Sequence, residues 1–301
     1  MSGGNSPNSA IGDPDMKSSA RGSITGAASG LVLLLLGLPA VAQAPKREGD
    51  YLKTIERCNN IERASLEARI DGCTAFINTH PGAKKALAVA YNNRGNAYAE
   101  TGDYDHAIHD FDQSIELNPG YSKPFNNRGV AYMRKGEYDL AIKALDEAIK
   151  LDPNYVDAYV NRAGAYLKKS EYDRATRDYD EAIRLQPNLD AVRNGRCWAR
   201  AMIGALQAAL EDCNKAIQLA TNNAEAYDSL GLIRLKMGQW SAAIDDYSSA
   251  LHLAPKMASA LYGRGLARLK RGDKAGGRAD VAAAETIQPK IGDDFARYGI
   301  R

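Results

Sequence analysis

The sequence predicts an all-α protein, a solenoid built from antiparallel helix pairs. Three observations lead to this fold class. From Ala88 onward the sequence repeats itself every 34 residues, over six consecutive units. Proline stands near the end of five of these units, and small residues recur at fixed positions inside them. A period of this length is typical of proteins in which each repeat is one supersecondary unit that stacks on its neighbours.

Residues 1–42 predict an N-terminal tail and signal peptide. A polar stretch with two basic residues precedes the apolar run Ala27–Leu38, which is shorter than the roughly 20 apolar residues that cross a bilayer. We expect cleavage between Ala42 and Gln43, since the next small-residue site would place proline directly after the scissile bond. The remainder is then periplasmic or secreted. The alternative is an uncleaved inner-membrane anchor with the remainder facing the periplasm.

The repeated pattern itself predicts where the helices pack and where they end. Small residues at positions 8, 20 and 27 allow two helices to approach closely, and large apolar residues at positions 4 and 24 fill the space around them. Glycine or serine at position 15 ends the first helix, and proline at position 32 ends the second. The six units are 88–121, 122–155, 156–189, 190–223, 224–257 and 258–291.

This pattern resembles the tetratricopeptide repeat (TPR), and the chain looks like an exported bacterial member of that family. The resemblance implies a right-handed superhelix whose first helices line a concave face. It also implies that positions 2, 5, 6, 9, 12 and 13 of each first helix face the groove. Around the six units of 88–291, we expect residues 46–87 to form a divergent capping helical pair and residues 292–301 to form a C-terminal capping segment.

The four cysteines predict two disulfides. An even number of cysteines behind an export signal favours disulfide bonds. The two pairs have nearly the same spacing, and the second pair joins core positions 8 and 24 of one unit. The alternative is four buried free thiols, because no CxxC pair or nearby histidine completes a zinc site. The predicted bonds are Cys58–Cys73 and Cys197–Cys213.

The first half of the expected groove is rich in amides. An asparagine side chain carries an acceptor and two donors, so a ladder of asparagines can pair with the backbone of an extended peptide. The alternative is a solvated polar face without a ligand. The predicted peptide-binding residues of this half are Asn92, Asn93, Asn96, Asn126, Asn127 and Asn161.

The second half of the groove is apolar. Exposed apolar residues that align across repeats indicate a docking strip, in which tryptophan and tyrosine would be the anchors. The alternative is that some of them pack against a neighbouring loop or the C-terminal helix. The predicted residues are Trp198, Leu232, Tyr262 and Leu266. For the arginine that recurs at position 7, we expect a structural role in which it covers apolar surface and bonds helix-end carbonyls.

Composition and missing motifs exclude several function classes. Lys+Arg number 39 against 37 Asp+Glu, a balance that argues against nucleic-acid binding. No phosphate loop, HExxH or GxSxG motif is present, so we expect no catalytic residue, metal or cofactor. The sequence therefore predicts a non-catalytic adapter that binds a protein or an extended peptide in its concave groove. The alternative is a structural or self-associating scaffold of a cell-envelope complex, and membrane contact is expected only if the signal segment is uncleaved.

Overall fold

The computed structural model describes Cys58, Asn59 and residues 64–300. The predicted signal peptide at 1–42 lies outside the described residues. Fourteen helices follow one another in this part of the chain, which contains no strand. They are α1 (Leu66–Thr79), α2 (Lys84–Thr101), α3 (Tyr104–Leu117), α4 (Ser122–Lys135), α5 (Tyr138–Leu151), α6 (Val156–Lys168), α7 (Tyr172–Leu185), α8 (Asp190–Met202), α9 (Leu206–Leu219), α10 (Ala224–Lys236), α11 (Trp240–Leu253), α12 (Ala258–Lys270), α13 (Lys274–Ile287) and α14 (Ile291–Arg297).

The helices form the right-handed solenoid that the repeat pattern predicted. Each helix from α1 to α13 packs on the next one in the chain. Neighbouring first helices (α2, α4, α6, α8, α10 and α12) also contact each other, whereas the described second helices of neighbouring repeats do not. Because the first helices are closer together, they lie on the inner side of the curve and line its concave face. The boundaries of the capping segments stay predictions; α1 falls within 46–87, and α14 begins one residue before the expected segment 292–301.

Small residues let the two helices of a repeat approach closely. A Cβ added at Gly95 would lie 2.7 Å from a ring atom of Phe111, and one added at Gly129 would lie 2.6 Å from Leu145. These glycines hold position 8 and their partners hold position 24. Phe111 and Leu145 are fully buried, so the large residue of one helix fills the space left by the small residue of the other.

The first helices end in the left-handed conformation that position 15 predicted. At Gly102 φ is 85°, and its N–H donates to the carbonyl of Ala99. The same turn recurs at Gly136, where φ is 80°. The third repeat has Ser170 instead, with φ of 60°, the only non-glycine residue of the described part with positive φ. A side chain in this region is strained because its Cβ approaches the following carbonyl.

Both predicted cysteine pairs lie at disulfide distance. The Cα atoms of Cys58 and Cys73 are 4.5 Å apart, and those of Cys197 and Cys213 are 5.5 Å apart. The first bond links Cys58 to α1, and the second links α8 to α9 within one repeat. All four cysteines are buried. Across the described residues, no helix combines the length and apolar character that a membrane crossing requires.

The turn at Ser170 gives a testable stability difference. Replacing Ser170→Gly relieves the left-handed strain and should raise the free energy of unfolding by about 0.5–1 kcal/mol. The measurement is urea denaturation followed by circular dichroism. The reciprocal variant Gly136→Ser, at the equivalent turn of the second repeat, should lose a similar amount. A stability unchanged in both variants would contradict the assignment of strain to this position.

The disulfide of the fourth repeat gives a second prediction. Its loop spans 16 residues, so its removal in Cys197→Ala/Cys213→Ala should cost about 3 kcal/mol in the chain-entropy estimate. Thermal unfolding of the oxidised variant against the wild type measures this loss. Adding reductant to the wild type should lower its stability further than it lowers that of the variant, which keeps only Cys58–Cys73. Equal sensitivity of both proteins to reductant would argue against the bond.

Candidate functional site

The amide-rich half of the groove is built by α2, α4 and α6. Position 6 supplies Asn93, Asn127 and Asn161, which are all partly exposed, as is Asn96 at position 9. Position 5 supplies Asn92 and Asn126. These two are only 3% and 5% exposed, so they lie beneath the surface of the groove. The six predicted asparagines therefore form two layers, one exposed and one buried.

Hydrogen bonds between repeats connect the two layers. Asn127 donates from Nδ2 to Oδ1 of Asn92 at 3.0 Å, and Asn161 donates in the same way to Asn126 at 2.9 Å. Each exposed amide is thus held by the buried amide of the preceding repeat. Asn93 continues the series by donating to Asn59 at 2.9 Å. Within the second repeat, Asn126 donates to Oδ1 of Asn127 at 3.1 Å.

The ladder leaves part of its hydrogen-bonding capacity unused. Nδ2 of Asn127 carries a second N–H, and its Oδ1 has a second lone pair. One donor and one acceptor on this side chain are thus engaged by the protein, and one of each remains. The engaged pair fixes the amide plane, so the remaining pair is oriented before any ligand arrives. This arrangement suits a peptide group, which offers one donor and one acceptor.

The arginines at position 7 have a structural role, with carboxylates as their partners. Arg94 binds Asp110 through two bonds of 2.8 Å, and this hydrogen bonding raises the pKa of the arginine. Arg162 binds Asp178 of its own repeat and Asp146 of the preceding one. The helix-end carbonyls expected from the sequence are not the partners of these guanidinium groups. The guanidinium of Arg94 also lies over the ring of Tyr91, 5.3 Å from its centroid.

The arginine series is interrupted in the fifth repeat. Leu230 holds position 7 there, so Asp246 at position 23 has only an ion pair with Arg234 at 3.0 Å. Burial raises the pKa of Asp246 to about 6. Oδ2 of Asp246 meets Arg234 in that ion pair without the geometry of a hydrogen bond, and the hydroxyl of its fully buried neighbour Tyr247 has no hydrogen-bond partner. The fifth repeat is therefore where the buried polar groups of the described chain are least satisfied.

The apolar half of the groove is covered by the C-terminal end of the described chain. Leu232 is 2% exposed, while Trp198, Tyr262 and Leu266 are partly exposed. These residues pack in one cluster with α14 and with the residues that follow it. The members contributed by the C-terminal segment are Ile291, Phe295, Tyr298 and Ile300. Of the two interpretations that the sequence left open, packing against the C-terminal helix is the one the structure contains.

Two aromatic contacts and one hydrogen bond fix the segment in the groove. The rings of Trp198 and Tyr298 meet edge to face with centroids 4.9 Å apart, and those of Tyr262 and Phe295 lie 4.8 Å apart. Lys236 donates from Nζ to the carbonyl of Tyr298 at 2.7 Å. Trp198 belongs to the fourth repeat, so the segment reaches back over more than two repeats.

A buried carboxylate lies in the same half of the groove. Asp228 holds position 5, where the first two repeats have asparagine, and its Oδ1 is buried without a hydrogen-bond partner. Burial raises the pKa of Asp228 to about 7. Burial raises the pKa of Tyr298, and the charges of Asp294 and Asp228 raise it further. Sequence reasoning missed Asp228, although an acidic residue among apolar groove positions was a visible signal.

The amide ladder ends at the fourth repeat for a steric reason. Position 6 becomes Gly195 there, and a Cβ at this glycine would lie 2.6 Å from Cζ of Tyr179. Tyr179 holds position 24 of the preceding repeat, where the first two repeats have phenylalanine and leucine. Gly263 faces Tyr247 in the same way. A tyrosine at position 24 therefore excludes asparagine from position 6 of the next repeat. The sequence already contains this correlation, since glycine holds position 6 after each of the two tyrosines.

This steric relation can be tested with a double-mutant cycle. Gly195→Ala places a methyl group against the ring of Tyr179 and should destabilise the protein by about 1–3 kcal/mol. In the background Tyr179→Leu, which copies the second repeat, the same change should cost close to nothing. Denaturation of the four proteins measures the coupling. Additive effects of the two changes would show that Tyr179 does not set the limit at Gly195.

Comparison with known proteins agrees with this architecture. Models of the tetratricopeptide repeat match residues 88–121, 111–143, 131–170, 156–189 and 229–290. No curated protein matches the chain. A TPR protein from Parabacteroides merdae ATCC 43184 has 17% identity and a TM-score of 0.64, over 83% of this chain and 99% of that one.

Two further solved structures are similar. Pseudomonas aeruginosa PilF has 16% identity and a TM-score of 0.60, over 71% of this chain and 98% of its own. A chain of the APC/C hetero-tetramer Cut9–Hcn1 has 16% identity and a TM-score of 0.63, over 82% of this chain and 52% of its own. At such identities the likeness concerns the fold. With its repeat pattern, its helix pairs and these matches, the chain belongs to the tetratricopeptide-repeat family, whose fold supports a protein-interaction scaffold.

Proposed function

We propose that the protein is a non-catalytic adapter outside the cytoplasm that binds an extended peptide along the amide-rich half of its groove. The observation that carries this proposal is the series of position-6 asparagines, Asn93, Asn127 and Asn161, each of which is hydrogen-bonded to another asparagine of the protein. Each of these side chains is fixed by an amide of the preceding segment or repeat and keeps a donor and an acceptor for a ligand. The ligand would be recognised through its backbone, so its sequence would matter little in this half.

The spacing of the ladder favours one backbone conformation of the ligand. Packed helices lie about 8–10 Å apart, which sets the distance between the position-6 asparagines of neighbouring repeats. A polyproline II chain rises about 9 Å in its three-residue turn and leaves its N–H and C=O groups unpaired. Such a chain would present the N–H and C=O groups of every third residue to successive asparagines. In a β-strand the orientation repeats every two residues, so its backbone groups would not recur at the spacing of the asparagines.

The location outside the cytoplasm is supported by the cysteines. Both pairs lie at disulfide distance, and disulfides persist in oxidising compartments. The predicted signal peptide would deliver the chain there. The alternative, a self-associating scaffold that uses the apolar half, requires the C-terminal segment to leave Trp198 and Tyr262 first. Protein binding by this fold has a parallel in the Cut9–Hcn1 hetero-tetramer, in which a similar chain is assembled with another protein.

The proposal can be tested in the native envelope. A photo-crosslinking residue at Asn127 should capture discrete partners, and one at the exposed Lys143 on the second helix of the same repeat should not. Crosslinked partners are identified by mass spectrometry. Equal yields from the two sites, or crosslinks only between copies of this chain, would contradict the adapter and favour the scaffold.

The ladder makes a quantitative prediction for any captured peptide. Asn127→Ala removes two hydrogen bonds worth about 1 kcal/mol each, so the peptide should bind about 10- to 30-fold more weakly. Isothermal titration calorimetry measures this loss, and Asn154→Ala in an exposed turn is the control. N-methylation of successive peptide residues should weaken binding with a period of three. Uniform tolerance of N-methylation would show that the backbone is not what the ladder binds.

A further inference from the structure

The C-terminal segment Ile291–Ile300 does more than cap the stack. In the 34-residue register, α14 begins one residue before the start of a seventh first helix at 292, and it packs on α12 and α13 as such a helix would. Beyond α14, however, the chain turns into the groove. Tyr298 contacts Trp198 of α8 and accepts a hydrogen bond from Lys236 of α10, so these contacts lie along the concave face.

The segment contacts the groove through one face of α14 and through Tyr298, the residue directly after it. Ile291, Phe295 and Tyr298 are spaced at i, i+4 and i+7, the anchor pattern of an amphipathic helix in a hydrophobic groove. Ile291 and Phe295 are 3% and 2% exposed. The opposite face, with Asp293, Ala296 and Arg297, is exposed to solvent. The segment therefore interacts with the groove as a bound helical peptide would, although it is part of the same chain.

Two features favour exchange of the segment for another ligand. First, α14 has seven residues, and helices of this length have little stability of their own. Second, Oδ1 of Asp228 in the apolar half is buried without a hydrogen-bond partner, although Ser259 bonds the same carboxyl group. An unsatisfied buried acceptor costs free energy that a ligand with a suitable donor would recover. The segment covers the apolar strip but does not satisfy every polar group in it.

We propose that the C-terminal segment is a tethered occupant of the apolar half of the groove, and that a short amphipathic helix of a partner protein displaces it. The partner helix carries an aliphatic residue followed by two aromatic residues at i+4 and i+7, because these anchors fit the positions that Ile291, Phe295 and Tyr298 now hold. A hydrogen-bond donor near its aromatic end reaches Asp228. This inference deepens the proposed function and rests on the groove being the binding face.

The tether determines how the displacement works. A segment attached to its own site competes at an effective concentration that reaches the millimolar range for short linkers. A partner is therefore admitted only if its affinity for the open groove is high enough to overcome this competition. Weak apolar segments of other proteins are excluded, while the aromatic strip stays covered in the free protein. The segment thus protects the strip and sets a threshold for binding.

The test uses the full chain and a fluorescein-labelled synthetic peptide of residues 289–301. Anisotropy measures its binding to the wild type and to Phe295→Ala/Tyr298→Ala, whose own segment lacks both aromatic anchors. The peptide should bind the variant at least tenfold more tightly than the wild type, and Trp198→Ala in the variant should abolish this binding. The matched control Asp293→Ala/Arg297→Ala changes the exposed face of the same helix and should behave as wild type.

Several outcomes would overturn the inference. Equal binding to the wild type and the variant would show that the segment does not occupy the site. Absence of binding to a variant with a native circular dichroism spectrum would show that the groove accepts no helix in trans. A concentration-dependent dimer of the wild type that the variant fails to form would assign the site to a second copy of the chain. The affinity of the variant for the 289–301 peptide should not depend on Asn127, which lies in the amide-rich half, and this separates the test from that of the amide ladder.

A second measurement applies if the variant does not fold. Hydrogen–deuterium exchange of the wild type reports opening of the segment directly, because the N–H groups of Tyr298 and Ile300 donate only within the segment, to Asp294 and Phe295. These amides should exchange at least tenfold faster than those in the middle of α12, and the labelled peptide at saturation should accelerate them further. Exchange as slow as that of α12 would make the segment an integral part of the fold and overturn the proposal.

Discussion

The contact on which the solenoid depends is the close approach of the two helices within each repeat. Where Gly95 faces Phe111, no larger residue than glycine fits without displacement of the ring. This approach brings position 7 of the first helix within reach of position 23 of the second, and the buried pair Arg94–Asp110 forms there. Because the arginines of later repeats also bind the preceding repeat, the same contact sets the spacing of the stack. The groove is a consequence of that spacing.

Sequence reasoning predicted the periodic features because they recur at fixed positions in the chain. The helix pairs, the glycine turns and the cysteine pairs each depend on contacts within one repeat or between neighbours. The route of the C-terminal segment depends on a contact between Trp198 and Tyr298, which are 100 residues apart. No periodicity indicates such a contact, so the sequence left two interpretations of the apolar strip open. The ion-pair partners of the arginines were missed although their constant spacing of 16 residues was present in the sequence.

The two halves of the groove present different side chains, and for position 6 the reason lies in the preceding repeat. Asn127 and Asn161 follow phenylalanine and leucine at position 24, which leave space for an asparagine. Gly195 follows Tyr179, whose ring takes that space. The residue at position 24 of a second helix thus limits whether position 6 of the next first helix can carry an amide. The point at which the amide-rich half ends therefore follows from core packing between the repeats.

The disulfide between α8 and α9 has a mechanical consequence. Solenoid repeats unravel one after another when the ends of the chain are pulled, since each repeat contacts only its neighbours. The bond between Cys197 and Cys213 closes a loop of 16 residues, which cannot extend under load. The contour length of the oxidised chain is therefore shorter by about 50 Å than that of the reduced chain, at about 3.3–3.6 Å for each enclosed residue. Under tension, the fourth repeat would keep its two helices joined after its neighbours had separated.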